Sequence, residues 1–265
     1  MNTQTRSDSQ NVYSILNQTQ LLRISDGAIK PVLDGCSNAS QLLVLIWSQL
    51  GDFDNLEYAW WLQREKSKLE AKGITIRAVG IGDRNSGVKF CEYTGFSQES
   101  LFVDPIAQIH EDLGLYRGLN VRFPLISKGQ NAWLNLMLMC AGIGSPGTLA
   151  EVFRGYKGDR QAPQLFADEE VIRDTPLPPM KGSFFKFAGG KGFQRPFELA
   201  TLRLRNMTEV LGNWDTYVPD STYLTQRGGT FLFDSQGNLI YEYRDKGILG
   251  FAEDKSNPLS FLLNK

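Results

Sequence analysis

The sequence predicts an α/β domain with a mostly parallel sheet, closed at its C-terminal end by an antiparallel hairpin and interrupted by a long helical insert. Three observations carry this. Strand-length apolar runs alternate with helical segments from Leu42 to Leu113, the β-α-β-α-β order of parallel strands joined by right-handed crossovers. Gly229-Thr-Phe-Leu-Phe-Asp234, a Ser-Gln-Gly-Asn238 turn and Leu239-Ile-Tyr-Glu-Tyr243 spell strand, tight turn, strand. Between them, from Arg117 to about Thr222, apolar helical segments are joined by connectors rich in Gly and Pro.

Each element has its own signal. Residues 1–25, rich in Gln, Asn, Ser and Thr, read as a weakly ordered tail, although Val12, Ile15, Leu16 and Leu21 permit a short helix. The domain itself is read over residues 26–265. Leu42 to Trp47 is a continuous apolar run of strand length, the pattern of a strand buried on both faces. Asp52 or Asp54 then caps a helix over Asn55 to Ala71, which ends at Lys72-Gly73. Ile74 to Ile81 reads as a second buried strand and Asp83 to Thr94 as a helix stopped by Gly95. Leu101 to Val103 is a short third strand before Asp104-Pro105, and Ile106 to Leu113 a helix stopped by Gly114.

In the insert, helices are expected at Asn131 to Ala141, Thr148 to Tyr156 and Phe197 to Leu211. Their connectors are Gly142 to Gly147, Thr175 to Pro179 and Gly189 to Gly192. A last helix is expected at Leu259 to Leu263. Parallel strands first and a hairpin last is the strand order of the thioredoxin fold: a three-layer sandwich, here with a helical insertion at about 117–222.

Composition excludes several functions. With 28 Lys and Arg against 29 Asp and Glu, the chain has a net charge of −1, which gives no basic footprint for nucleic acid and no polybasic run for anionic lipid. The N-terminus lacks the apolar core of a secretory signal, and the longest apolar runs fall short of the ~18 residues a membrane span needs. Three widely spaced cysteines, Cys36, Cys91 and Cys140, make no disulfide framework and fit free thiols in a reducing compartment. With a single histidine, His110, and no paired cysteines, no zinc site is expected. Asp104, His110 and Glu111 read as hydrogen-bonded structure, so no metal and no cofactor is assigned.

Three stretches carry a family resemblance. Leu42 to Tyr58 resembles the first strand and active-site loop of the AhpC/TSA-like (peroxiredoxin-like 2) proteins. Phe90-Cys-Glu-Tyr-Thr-Gly-Phe96 with Leu101-Phe-Val-Asp-Pro105 and Leu113-Gly-Leu115 is similar to their second helix, third strand and following turn. Gln226-Arg-Gly-Gly-Thr-Phe-Leu-Phe233 with Asn238 to Asp245 resembles their terminal hairpin. The long insert resembles that of a cyanobacterial or plastid type, which implies a bacterial cytosol or plastid stroma. The resemblance implies a thiol peroxidase reduced by thioredoxin or glutathione.

The site itself departs from that pattern. In a peroxiredoxin the reactive thiol sits on the first turn of the helix after the first strand, where backbone N–H groups and a nearby Arg favour the thiolate. Here the stretch from Trp47 to Glu57 holds no cysteine. It carries Ser48, Gly51, Asp52, Asp54 and Glu57; a hydroxyl with no adjacent base does not reduce peroxide, and the acidic residues suit a helix cap while opposing a thiolate.

Two other thiols remain candidates. Cys91, between Phe90 and Tyr93, reads either as a small buried hydrophobe or as a redox-active thiol. Cys36, in the loop Asp34-Gly-Cys-Ser-Asn38, reads as the more exposed and open to oxidation or glutathionylation, with no evident activating group. Cys140 reads as core. The glycine run with Gly190, Lys191 and Arg195 reads either as a solvated flexible loop or as an anion-binding site. Trp133 and Trp214 read as core, or as a partner surface if exposed together.

Two functions follow. One is a degenerate family member that works by binding a protein partner of unknown identity. The other is a thiol-dependent antioxidant acting through Cys91 or Cys36.

Overall fold

A computed structural model of the protein describes residues 3–173 and 178–263. In chain order the elements before the insert are α1 (Thr3–Gln18), β1 (Gln20–Arg23), β2 (Ile29–Pro31), β3 (Gln41–Gln49), α2 (Phe53–Arg64), α3 (Lys66–Ala71), β4 (Ile74–Ile81), α4 (Arg84–Thr94), β5 (Leu101–Val103) and α5 (Gln108–Asp112). The insert holds α6 (Lys128–Cys140), α7 (Thr148–Lys157), a short ribbon of β6 (Val171–Ile172) and β7 (Met180–Lys181), α8 (Glu198–Gly212) and α9 (Trp214–Tyr217). Then come β8 (Gly229–Asp234), β9 (Leu239–Arg244) and α10 (Ser260–Leu263).

The main sheet runs β2-β1-β5-β4-β3-β8-β9, with β3, β4 and β5 mutually parallel and the hairpin β8–β9 antiparallel at one edge. This is a thioredoxin-like sheet. Strand β3 lies at its centre because both of its faces are apolar. Leu43, Leu45 and Trp47 point to a core shared with α2, α4 and the insert, and Leu42, Val44 and Ile46 point to a second core beneath α1 and α5. Two helical layers enclosing one sheet give three layers.

Local signals end the elements where the sequence places them. Asp83 and Ser86 close a capping box at the start of α4, and Gly95 ends it with φ 73°, a left-handed turn that favours glycine. The helix expected over Asn55 to Ala71 is broken at Glu65 into α2 and α3. The connector expected at Thr175 to Pro179 lies mostly outside the described residues, since 174–177 fall between the two described stretches.

The N-terminal expectation needs correction. From Val12 to Ser25 the chain is packed on the domain: Leu16 is fully buried and Val12 nearly so, and Gln20–Arg23 is a strand bonded to β2 and β5. Four residues at an edge are too few for a periodic signal, and the polar residues around Val12 and Leu16 mask a narrow apolar stripe.

The insert packs onto the domain. Helix α8 lies on α2 and α9 on α4, while α6 packs beside α7 and the turn at Ser221–Tyr223. Among the described residues no helix is long and apolar enough to cross a membrane.

If α1 is integral, Leu16→Ala should destabilise the protein by about 2–4 kcal/mol in urea unfolding, the cost of a buried leucine truncation. A change under about 0.5 kcal/mol would restore the loose-tail reading.

Candidate functional site

The turn after β3 brings the chain to the N-terminus of α2, and Asp52 is its cap. The Asp52 side chain accepts the backbone N–H of Asp54 at 3.1 Å, and its other oxygen accepts Ser48 Oγ at 2.9 Å. The neighbouring Asn55 donates to Ser48 Oγ and to the carbonyl of Gln49, at 3.2 and 2.6 Å, so the loop is stitched internally. Gly51 is required by close approach: a Cβ there would lie 2.8 Å from Val218 Cγ2 and 3.0 Å from Tyr217 Cβ, both from the end of the insert.

Arg227 faces this cap from the residues just before β8, and it is almost fully buried. Its guanidinium donates to the carbonyls of Thr225 and Leu224, both at 3.1 Å, and its Nη2 reaches Asp52 Oδ2 at 2.7 Å. Asp54 Oδ2 stands 3.8 Å from Nη1. Asp245 accepts the N–H of Gly228 at 3.1 Å and leaves its other oxygen buried without a partner.

One buried cation therefore meets three carboxylates. Loss of hydration, and then the charge of Asp52, pushes the buried Asp54 carboxyl well above the usual range. Burial pushes Asp245 up to about 7, against the pull of Arg227. Asp52, at the positive end of α2 and bonded to the cation, is best placed to carry the negative charge.

Glu57 plays a different part. It makes a two-point pair with Arg203 of α8, at 2.7 and 3.2 Å, and Arg203 reaches Glu151 of α7 at 2.6 Å. Glu151 in turn holds Arg154 at 2.7 Å. This chain of charges ties α2 to the insert.

Between the loop and the insert lies a cavity of about 300 Å³. Its wall is Trp133, Met137 and Cys140 of α6, Met207 and Leu211 of α8, and Trp214 of α9; Gln49 and Asp52 line its floor. The rings of Trp133 and Trp214 lie 4.9 Å apart. The insert thus roofs the loop between β3 and α2.

Cys91 is buried, as one of its two readings had it, but Cys36 and Cys140 are not where the sequence reading put them. Cys91 is 5% exposed on the inner face of α4, and burial pushes its thiol up to about 12. Cys36, expected at the surface, is 6% exposed among Val12, Leu16 and Leu33, because the loop before β3 folds under α1; its thiol is also raised by burial. Cys140, expected in the core, is exposed on the cavity wall. Helix α6 is apolar on two sides: Ala132, Asn135 and Met139 turn inward, while Trp133, Met137 and Cys140 form a second stripe toward the cavity. The Cys140 thiol is raised as well, by lost hydration and then by Asp52.

The glycine loop offers no free cations. Arg195 is fully buried, bonded to Glu198 at 2.9 Å and to Asp168 at 3.0 Å, and Lys191 reaches Asp168 at 3.1 Å. Gly190 is exposed, and the adjacent Gly192 N–H is taken by Gln164 at 3.0 Å. Near α5, Asp104 accepts the N–H groups of Ile106 and Ile109. His110 donates to the carbonyl of Trp47 at 2.9 Å, and burial holds its pKa near 4.

Arg227 is the residue that sequence reasoning passed over, although it stands inside the quoted Gln226-Arg-Gly-Gly stretch. The available signal was topological, since that stretch opens the strand paired beside β3. Gln49 and Asp245 gave no signal of their own.

Arg227→Met leaves buried carboxylates unpaired and should cost about 3–5 kcal/mol in urea unfolding, whereas a surface arginine substitution costs under about 1 kcal/mol. The raised Asp245 carboxyl binds a proton more tightly in the folded than in the unfolded chain. Its contribution is full below pH 4 and is lost as pH rises toward about 7. Asp245→Asn keeps the acceptor for Gly228 and removes that loss, so its stability relative to wild type should rise by about 1–3 kcal/mol between pH 4 and 8. Parallel profiles would contradict the assignment.

Comparison with known proteins places the chain in a family. The sequence profile described as AhpC/TSA antioxidant enzyme matches residues 61–247, a span that begins inside α2, beyond the Asp52 cap, and ends past β9. A prostamide/prostaglandin F synthase of Danio rerio is 38% identical over 65 residues, which is 23% of this chain and 32% of that protein. The chain thus spans about a third of the length of that relative. Fold, hairpin and profile converge, and the chain belongs to the AhpC/TSA antioxidant enzyme family.

Proposed function

We propose that this family member performs no peroxidase chemistry at the N-terminus of α2 and works there by binding, as a degenerate thioredoxin-fold protein in a redox setting. The observation that carries the reading is the 2.7 Å contact between Asp52 and Arg227. A peroxidatic thiolate needs both the helix N-terminus and a neighbouring guanidinium. Here a carboxylate holds both, and a carboxylate does not reduce peroxide. Burial of Cys91 and Cys36, with both thiols shifted upward, further supports it.

One observation favours a second reading, a thiol peroxidase relocated onto the insert: Cys140 is exposed on the cavity wall beside Asp52. Its sulfur would attack the peroxide, break the O–O bond and form a sulfenic acid, with water or an alcohol leaving. A dithiol such as thioredoxin, or two molecules of glutathione, would then restore the thiol and release water. The upward shift of the Cys140 thiol weighs against this.

Peroxide consumption by the reduced protein, supplied with a thioredoxin or a glutathione system, separates the two. The expected result is no turnover above the Cys140→Ser variant and no selective sulfenic acid at any cysteine. Turnover lost in Cys140→Ser, with sulfenate confined to Cys140, would establish the second reading and end the first.

A further inference from the structure

The cavity over the Asp52 loop has the chemistry of a small-molecule site. Its wall is almost wholly apolar: two tryptophans, three leucines (Leu136, Leu211, Leu224), two methionines and Phe53. About 300 Å³ is at the lower end of ligand pockets and takes roughly ten to fifteen non-hydrogen atoms at interior packing density.

The polar groups in that wall are few, and their capacities differ. Asp52 already accepts from Ser48, Asp54 and Arg227. Gln49 is 3% exposed, and its Nε2 donates to the carbonyl of Asp220. A carbonyl only accepts, so this bond fixes the amide orientation and leaves Oε1 as the free atom. That oxygen is buried and has no hydrogen-bond partner among the described residues. A buried acceptor without a donor costs about 1–3 kcal/mol, so a donor that reaches it from the cavity, with the small side-chain movement its burial requires, is favoured.

We infer that the cavity binds a small, uncharged, apolar molecule carrying one hydrogen-bond donor, with its donor on Gln49 Oε1 and its body between the tryptophan pair and the leucines. This deepens the binding reading of the site and rests on it. An anion is disfavoured because its nearest polar neighbours are an acceptor and a carboxylate. The insert has then replaced the thiol's access channel with a ligand site, and Cys140 on its wall reports occupancy.

The test uses the full chain and 2-naphthol, an aromatic of suitable size with one donor, against 2-methoxynaphthalene, which has none. Calorimetric titration should show one saturable site for 2-naphthol and about tenfold weaker binding of the ether, the value of one hydrogen bond. Bound 2-naphthol should also slow alkylation of Cys140 by N-ethylmaleimide. Leu211→Arg, at an exposed rim position, should abolish binding without a change in fold, and Gln49→Leu should erase the preference for the donor. No saturable binding, equal affinity for the two compounds, or binding unaffected by Leu211→Arg would overturn the inference. If Gln49→Leu fails to fold, the two-compound comparison and the Leu211 variant decide alone. Peroxide turnover at Cys140 would sink the binding reading itself, whereas failed titration of a peroxidase-inactive protein would sink only the ligand.

Discussion

The contact between Asp52 and Arg227 sets the character of this molecule. A buried guanidinium must be matched by negative charge, and a helix N-terminus favours an anion in front of its N–H groups. In a working peroxiredoxin both demands are met by a thiolate that comes and goes with the reaction cycle. Here the Asp52 side chain occupies that place, bonded to Arg227 and to the first-turn N–H of Asp54. Around the pair, burial, and to a lesser degree the charge of Asp52, pushes Asp54 and Asp245 toward their protonated forms. On the proposed reading, the scaffold keeps its electrostatic frame and exchanges the reactive anion for an inert one.

If the site binds rather than reduces, the insert follows from the same change. A thiol peroxidase needs an open path to its sulfur, and a site without a reactive sulfur is free to be roofed. Helices α6, α8 and α9 close over the loop, and the Glu57–Arg203–Glu151–Arg154 chain fastens that roof to α2. Such a half-buried chain orients more than it stabilises, because desolvation offsets much of its Coulomb energy. Its use is to set where the apolar wall sits relative to Gln49 and Asp52.

How much of this the sequence disclosed follows from the range of each interaction. Strand β3 and the hairpin were legible because their signals are contiguous: an unbroken apolar run, and two alternating segments about a Gly-Asn turn. That the loop from Trp47 to Glu57 holds no cysteine is read directly from the sequence. Strand β1 was hidden by its shortness, and α1 by its polar flanks. Cys36 and Cys140 were misplaced in opposite directions for one reason: burial depends on what a segment meets across the fold. The loop of Cys36 meets α1, whereas the outer stripe of α6 meets a cavity. Arg227 lies 175 residues beyond Asp52, and only the pairing of β8 beside β3 brings them together.

The most direct test of the account is to return a sulfur to the cap with Asp52→Cys and follow its alkylation by iodoacetamide against pH. If the helix N-terminus and Arg227 still form an anion site held by Asp52 in the native chain, the new thiol should titrate below the ordinary value of about 8.5, and the Arg227→Met background should raise it again. A thiol that titrates at or above about 8.5, unmoved by loss of Arg227, would contradict the claim that Asp52 stands in the place of the thiolate.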